Sequence, residues 1–285
     1  FDPDDLDRIR NSRGELAGLP VLIHTQVACF NPKRLTKPPA TVTELLAASA
    51  AGHPVGLTVE PYSLFWSAGS LGAVPGLNEA VAGRRPDPAQ RAGIEGWLAW
   101  LQNANNQQRV MFFDDQESAQ RDLINGKLDW ITCRSTQLPI LTRQMGGRLA
   151  VAALPDGAAG AQASPINRLR VLSLGRNSSG SGRERALAFS RFGINPMTQR
   201  NITIGSRTFL PANRHVRVPV LSSGVLAAMV TANEQGRNTD EVLSTLLVTD
   251  PRIPALQTLI NQLVFGQVSP VAASDQVISL LRRKP

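Results

Sequence analysis

The stretch that decides the predicted fold is residues 53–67, which read HPVGLTVEPYSLFWS. Residues 56–59 predict a short strand, because they are apolar, partly β-branched and bounded by His-Pro and Glu-Pro. Pro61 suits the first position of a helix, where its missing N–H costs nothing. This arrangement places Glu60, Tyr62 and Trp66 at the carboxyl end of the strand, the edge at which open α/β sheets bind ligands. The alternative is that Tyr62 and Trp66 are core aromatics.

The rest of the chain continues this alternation of strands and helices. Asp115 and Gly126 are placed to begin and end a helix. The polar trio His24-Thr25-Gln26 lies between two apolar strands and indicates a crossing point. With a helical tail, the pattern predicts an α/β fold. Strands are expected at residues 20–23, 27–30, 128–133, 149–154 and 169–174, a loop at 74–87, irregular chain at 202–211, and helices at 42–49, 89–102, 116–125, 183–192, 221–232, 239–247, 253–265 and 270–283.

The composition is that of an ordinary globular protein. With 42% hydrophobic and 18% charged residues, the 285-residue chain can bury a sizeable core as one large domain or two lobes. It contains no apolar run of about 18 residues, the length that predicts a membrane span. The opening residues, FDPDD, are neither a signal peptide nor a lipidation motif; if the protein is exported, its signal is expected upstream of them.

The net charge of +8 comes mainly from arginine, since the chain has only four lysines. The arginines are scattered and aromatic residues make up only 5% of the chain, whereas nucleic-acid interfaces cluster basic residues and interleave them with aromatics. Nucleic acid is therefore not expected as a partner. A cationic surface equally favours anionic partners or peripheral contact with a membrane.

Motifs for catalysis and metal binding are missing. Cys29 and Cys133 lack the C-x-x-C spacing of zinc sites, and the histidines are isolated from one another. The chain contains no G-x-S-x-G, P-loop or H-E-x-x-H sequence. The sequence therefore predicts no enzyme and no cofactor.

A series of segments, in order, resembles the extracellular solute-binding proteins of ABC importers, within the maltose-binding-protein-like branch of family 1. The E-P-Y of residues 60–62 falls where that branch also has E-P-Y, whose Glu and Tyr contact sugar. In the segment at residues 38–46, Val42 stands where the family usually has tryptophan. The similar segments are GELAGLPVLIHTQVACFNPKRL (14–35), PPATVTELL (38–46), LTVEPYSLFW (57–66), SAQRDLINGKLDW (118–130), GGRLAVAALPDG (146–157), RALAFSRFGINPMTQR (185–200) and FLPAN (209–213).

The resemblance implies the two-lobed, type II architecture of periplasmic binding proteins, α/β with a helical C-terminal part. Residues 1–27 and 151–207 would form lobe one with the hinge crossings, and residues 28–150 and 208–285 lobe two. Residue 1 falls partway through the family's first lobe, so lobe one is expected to be incomplete.

In function, the resemblance implies a non-enzymatic protein that captures a carbohydrate, polyol or sugar phosphate for ABC permease subunits. The protein would be periplasmic or otherwise extracytoplasmic, and a lipid anchor through an upstream segment stays open. Two alternatives also stay open. One is a structural or interaction protein that keeps this fold without a functional pocket, and the other, less supported, is an enzyme on the same fold.

Sugar pockets combine a flat aromatic face with groups that bond hydroxyls. Where relatives often carry an aromatic after the strand ending at Cys133, this chain has Arg134-Ser135, and Arg134 is suited to grip a phosphate or carboxylate. The expected ligand-binding residues are Glu60, Tyr62, Trp66, Arg134, Ser135, His24 and Gln26, with Thr25 beside them at the hinge.

The same alignment of segments places Cys29 and Cys133 on two strands near the hinge. In an oxidising compartment these residues could form a disulfide. The alternative is two buried free cysteines.

Overall fold

A computed structural model describes residues 1–11, 13–175, 177–239, 246 and 250–283. Strands and helices alternate through most of this part of the chain. The strands are β1 Leu19–His24, β2 Gln26–Phe30, β3 Val55–Thr58, β4 Val110–Phe113, β5 Trp130–Arg134, β6 Ala150–Ala152, β7 Arg168–Leu172 and β8 Leu210–Pro211. The α-helices are α1 Pro3–Asp7, α2 Val42–Ala50, α3 Pro61–Leu64, α4 Trp66–Ser70, α5 Val74–Val81, α6 Pro88–Asn105, α7 Gln116–Ile124, α8 Leu138–Met145, α9 Gly180–Gly193, α10 Pro196–Ser206, α11 Gly224–Gln235, α12 Arg252–Val264 and α13 Pro270–Arg282.

One sheet has five strands in the order β4-β3-β5-β2-β6. Strand β3 is parallel to β4 and β5, whereas β2 is antiparallel to β5 and β6. Every residue of β2 and β3 is buried, as expected for central strands that are covered on both faces. The carboxyl ends of β3 and β5 meet at one edge because the two strands are parallel.

A second, antiparallel sheet has three strands in the order β7-β1-β8. Strand β1 ends at His24 and β2 begins at Gln26, so Thr25 alone links β1 of one sheet to β2 of the other. The expected crossing point is therefore present. The backbone N–H of Thr25 donates to Ser135 Oγ at 3.1 Å, and Ser135 N donates to the Thr25 carbonyl at 2.8 Å. These two bonds tie the connection to the end of β5.

A disulfide joins Cys29 of β2 to Cys133 of β5, with Cα atoms 5.8 Å apart. In the antiparallel register Cys29 lies opposite Ile131 and Cys133 opposite Val27, so the two cysteines are diagonal neighbours on one face of the sheet. Both are buried. The disulfide alternative is confirmed over the free cysteines.

Three apolar clusters form the core of the described residues. One packs α5, α6, α12 and α13 together. Another covers one face of the five-stranded sheet and contains Trp130 of β5 and Trp66 of α4. The third includes the disulfide and also Ile23 of β1 and Leu210 of β8. This third cluster therefore packs residues of both sheets in one apolar core.

The structure corrects the loop predicted at residues 74–87. Helix α5 occupies its first half, because Pro75 lies in the first turn, where proline is tolerated. Gly76 brings α5 close to α6, since a Cβ there would lie 2.6 Å from the carbonyl oxygen of Gln90. Both residues looked like loop formers, but each has a helical role here.

Other predicted elements differ in detail. Helix α8 is not predicted from the sequence. Helix α10 begins after Asn195, whose side chain accepts from Met197 N and Thr198 N, and it extends to Ser206, within the stretch predicted to be irregular. The caps predicted for α7 are present, with Asp115 accepting from Ser118 N and Gly126 in a left-handed conformation. The helix predicted at residues 239–247 falls almost entirely outside the described residues. Among the described helices, none has the length and apolarity that a membrane crossing requires.

Candidate functional site

A cavity of about 240 Å³ lies where the two sheets meet. Two structural features create it: the shared carboxyl edge of β3 and β5, and the β1–β2 connection beside that edge. Four of the expected site residues line the cavity. Among the described residues, the lining is His24, Thr25, Gln26, Tyr62, Arg134, Thr136, Ile166, Arg168 and Arg170.

Glu60 and Arg134 form an ion pair at this edge. Arg134 Nη2 lies 3.2 Å from each carboxylate oxygen of Glu60, and the Ser63 hydroxyl donates to Glu60 Oε2 at 2.6 Å. Both charged side chains are about one third exposed. The two residues are together because β3 and β5 end at the same edge. Glu60 lies behind Arg134 as its partner and is not part of the cavity lining.

The opposite wall of the cavity comes from the three-stranded sheet. His24 lies opposite Arg168 in the register of β1 and β7, and Ile23 lies opposite Leu169. Because side chains alternate along a strand, His24, Arg168 and Arg170 share the face toward the cavity, while Ile23 and Leu169 face the apolar core. The two arginines were not anticipated from the sequence. Their signal is the alternation in Arg168-Leu169-Arg170.

Tyr62 contributes the aromatic ring of the cavity. Its hydroxyl donates to the Leu246 carbonyl at 2.5 Å, and the Arg168 guanidinium carbon lies 5.6 Å from the ring centroid. Burial raises the pKa of Tyr62, and the nearby Arg168 partly offsets this shift. The hydroxyl is therefore fixed by a backbone acceptor, and the Arg168 guanidinium lies over the face of the ring in a cation–π contact.

Gln26 lines the cavity, but its amide is used within the protein. Its Nε2 donates to the Ser63 carbonyl at 2.8 Å, and its Oε1 accepts from Ile166 N at 3.1 Å. Gln26 is 3% exposed, so these bonds satisfy a buried polar side chain. It braces the cavity wall more than it offers bonds to a ligand.

Three expected site residues do not line the cavity: Glu60, which pairs with Arg134, and Trp66 and Ser135, which lie behind the wall. Trp66 is fully buried and packs against Trp130, with ring centroids 6.1 Å apart, so the core alternative describes it. Ser135 is also fully buried, and its hydroxyl accepts from Thr25 N. For Trp66 and Ser135, the prediction of ligand contact is corrected to a supporting position behind the wall.

Besides Tyr62, two cavity side chains have shifted pKa values. Burial lowers the pKa of His24, with a smaller lowering from Arg170, while the Thr208 carbonyl beside Nδ1 opposes the shift. Burial also lowers the pKa of Arg168, and the positive charge of Arg134 adds to this effect. At neutral pH the cavity therefore contains a neutral imidazole and crowded guanidinium groups.

No protein-family model matches the chain, and no curated protein matches it by sequence. Its structure is similar to that of the GacH receptor of Streptomyces glaucescens GLA.O, which was solved without ligand and with acarbose and an acarbose homolog, and was compared with the maltose-binding protein of Salmonella typhimurium. The TM-score is 0.67 at 16% sequence identity, over 99% of this chain and 75% of that chain. The chain therefore has the mixed α/β, two-lobed fold of maltose-binding-protein-like receptors.

Proposed function

We propose that this protein is a solute-binding protein that captures a small carbohydrate or polyol for an ABC importer. The observation that carries the proposal is the cavity at the meeting of the two sheets, which combines the Tyr62 ring with polar groups. The fold it shares with a sugar-binding receptor supports the same function.

The cavity has the chemistry that a sugar requires. The Tyr62 ring offers an apolar surface, and the Thr136 hydroxyl and the guanidinium groups are suited to bond hydroxyls of a ligand. The cavity volume of about 240 Å³ is below the range of roughly 300–1,000 Å³ common for drug-sized ligands. A ligand of one or two sugar rings or a short polyol fits this size better than a long oligosaccharide.

The location is proposed to be extracytoplasmic, with ABC permease subunits as partners. The Cys29–Cys133 disulfide supports this location, because disulfides persist mainly in the periplasm and outside the cell. In this proposed function the protein delivers its ligand to a permease and catalyses no reaction.

A thermal-shift screen against monosaccharides, disaccharides and polyols tests the proposal. A ligand at about 100 times its Kd adds roughly 2.7 kcal/mol to the unfolding free energy. At about 2–4 °C per kcal/mol, the midpoint should rise by several degrees. Tyr62→Ala should abolish the shift because it removes the ring, whereas Tyr62→Phe keeps the ring and should retain most of it.

Phe192→Ala is the matched control, since Phe192 is an exposed aromatic of α9 outside the cavity. It should bind like the wild-type protein. If Tyr62→Ala binds as well as Phe192→Ala does, Tyr62 is not part of a sugar site.

A second candidate is an interaction protein that keeps the fold without a functional pocket. Two observations favour it: Trp66 is buried and Tyr62 is the one aromatic ring in the cavity lining. A flat response across the whole screen is the result that this candidate predicts.

A further inference from the structure

The strand register concentrates arginine at one cavity. Arg168 and Arg170 project from β7 on the face toward the cavity, and Arg134 reaches it from the end of β5. Arg168 and Arg170 are exposed residues, and both line this cavity. Three cationic side chains from two different sheets thus surround one small volume.

The protein's own carboxylates do not balance this charge. Glu60 is already paired with Arg134. Asp250, whose charge acts on Tyr62, is bonded to Arg252 at 2.6 Å. In the part of the chain that the structure describes, no carboxylate forms an ion pair with Arg168 or Arg170. Burial lowers the pKa of Arg168, and the nearby positive charge of Arg134 lowers it further.

A neutral sugar would leave this charge uncompensated, because hydroxyls accept hydrogen bonds without carrying charge. A carboxylate or phosphate accepts two parallel N–H bonds from one guanidinium, and such charge-assisted bonds are roughly twice as strong as neutral ones. In a partly enclosed cavity the attraction is also less screened than at an open surface. The arrangement therefore favours a ligand that carries an oxyanion.

We propose that the ligand of this cavity is an acidic sugar or polyol whose carboxylate or phosphate is bound by Arg168 and Arg170. The sugar portion lies toward Tyr62, and the Glu60–Arg134 pair stays intact beside it. This inference rests on the proposed function and narrows it to anionic solutes.

Isothermal titration calorimetry with matched sugars tests the assignment. The probes are glucose, glucuronate, glucose 6-phosphate, galactose, galacturonate and inorganic phosphate. We expect at least one acidic sugar to bind about tenfold or more tightly than its neutral counterpart, which corresponds to about 1.4 kcal/mol. Its affinity should fall when NaCl is raised. A preference for the uronate identifies a carboxylate site, and a preference for the sugar phosphate identifies a phosphate site.

The double variant Arg168→Gln/Arg170→Gln should remove the preference for the acidic sugar. Arg183→Gln/Arg191→Gln is the control, because it removes two positive charges from exposed positions of α9 outside the cavity and should leave binding unchanged. If neutral sugars bind as tightly as acidic ones, or if the preference survives in Arg168→Gln/Arg170→Gln, the oxyanion assignment is overturned while the proposed function stands. A flat response to every probe overturns both.

Discussion

Gln26 and Glu60 are predicted to bind a ligand, but in the structure their polar groups bond to other groups of the protein around the cavity. The Gln26 side-chain amide donates to the Ser63 carbonyl and accepts from Ile166 N. The Glu60 carboxylate accepts from Arg134 and from the Ser63 hydroxyl. Their polar atoms hold α3 and the ends of β2 and β5 in place. What the cavity offers to a ligand is then mostly guanidinium groups, the Thr136 hydroxyl and the Tyr62 ring.

At the same scale, His24 should make stability depend on pH. Its pKa in the folded state is below 6.5, so the unfolded chain binds the proton more readily. The contribution is fully present above about pH 7, and the unfolding free energy declines as pH falls through 6.5. Urea unfolding at pH 7.5 and 5.5 should show a larger loss for wild-type protein than for His24→Gln.

His215→Gln is the control for that measurement, because His215 is exposed and lies outside the cavity. It should lose as much stability as wild-type protein over the same interval. An identical loss in His24→Gln would contradict the burial of a neutral imidazole at this position.

The sequence predicts the cavity wall from β7 incompletely. The strand predicted at residues 169–174 begins one residue late and leaves out Arg168. Arg134 and Tyr62 line the cavity near strand ends, where ligand-binding residues are expected in α/β sheets. Arg168 and Arg170 lie within a strand, and only its pairing with β1 shows that their face is the cavity wall.

At the scale of elements, the predictions from sequence succeeded where local chemistry decides the outcome. Asp115 caps α7, and the apolar runs of β1, β2 and β5 are strands. They failed at α5, because the helical role of Gly76 depends on contact with a distant residue, Gln90. A single sequence carries no record of that neighbour.

The disulfide between β2 and β5 should be a major source of stability. The cysteines are 104 residues apart, and closing a loop of about 100 residues restricts the unfolded chain by roughly 4.7 kcal/mol in the chain-entropy account. Cys29→Ala/Cys133→Ala should therefore lower the unfolding free energy by about 2–5 kcal/mol in urea titration. Dithiothreitol should destabilise the wild-type protein and leave the double variant unchanged.

Counting thiols in urea without reductant gives an independent check. Wild-type protein should contain no titratable thiol, since the structure leaves no free cysteine. Two reactive thiols per chain would contradict the bond.

At the scale of the whole molecule, the two sheets should unfold together. The apolar cluster around the disulfide contains Ile23 and Leu210 of one sheet and Val27 of the other, so neither sheet can lose its packing alone. The four tryptophans, Trp66, Trp97, Trp100 and Trp130, all belong to the clusters beside the five-stranded sheet and α6. Urea transitions followed by tryptophan fluorescence and by far-UV circular dichroism should coincide. Separate midpoints would indicate two independent units.

The lobe boundaries inferred from the resemblance, residues 1–27 and 151–207 against 28–150 and 208–285, stay a prediction. The pattern of apolar segments was sufficient for the α/β class because strand and helix periods are local properties. The order of strands within each sheet is decided by long-range packing, so it could not be predicted from the residues alone.

The connection at Thr25 also bears on how this fold can change through evolution. Thr25 is the whole link between β1 and β2, and its backbone N–H and carbonyl are both bonded to Ser135. Because strand side chains alternate with a period of two, one inserted residue would exchange the faces of β1, turning Ile23 toward the cavity and His24 into the apolar core. A connection of one residue cannot absorb a change in length without shifting one of the two strands. We therefore expect insertions and deletions among proteins of this fold to avoid residues 24–26, which makes this segment a useful anchor when such sequences are aligned.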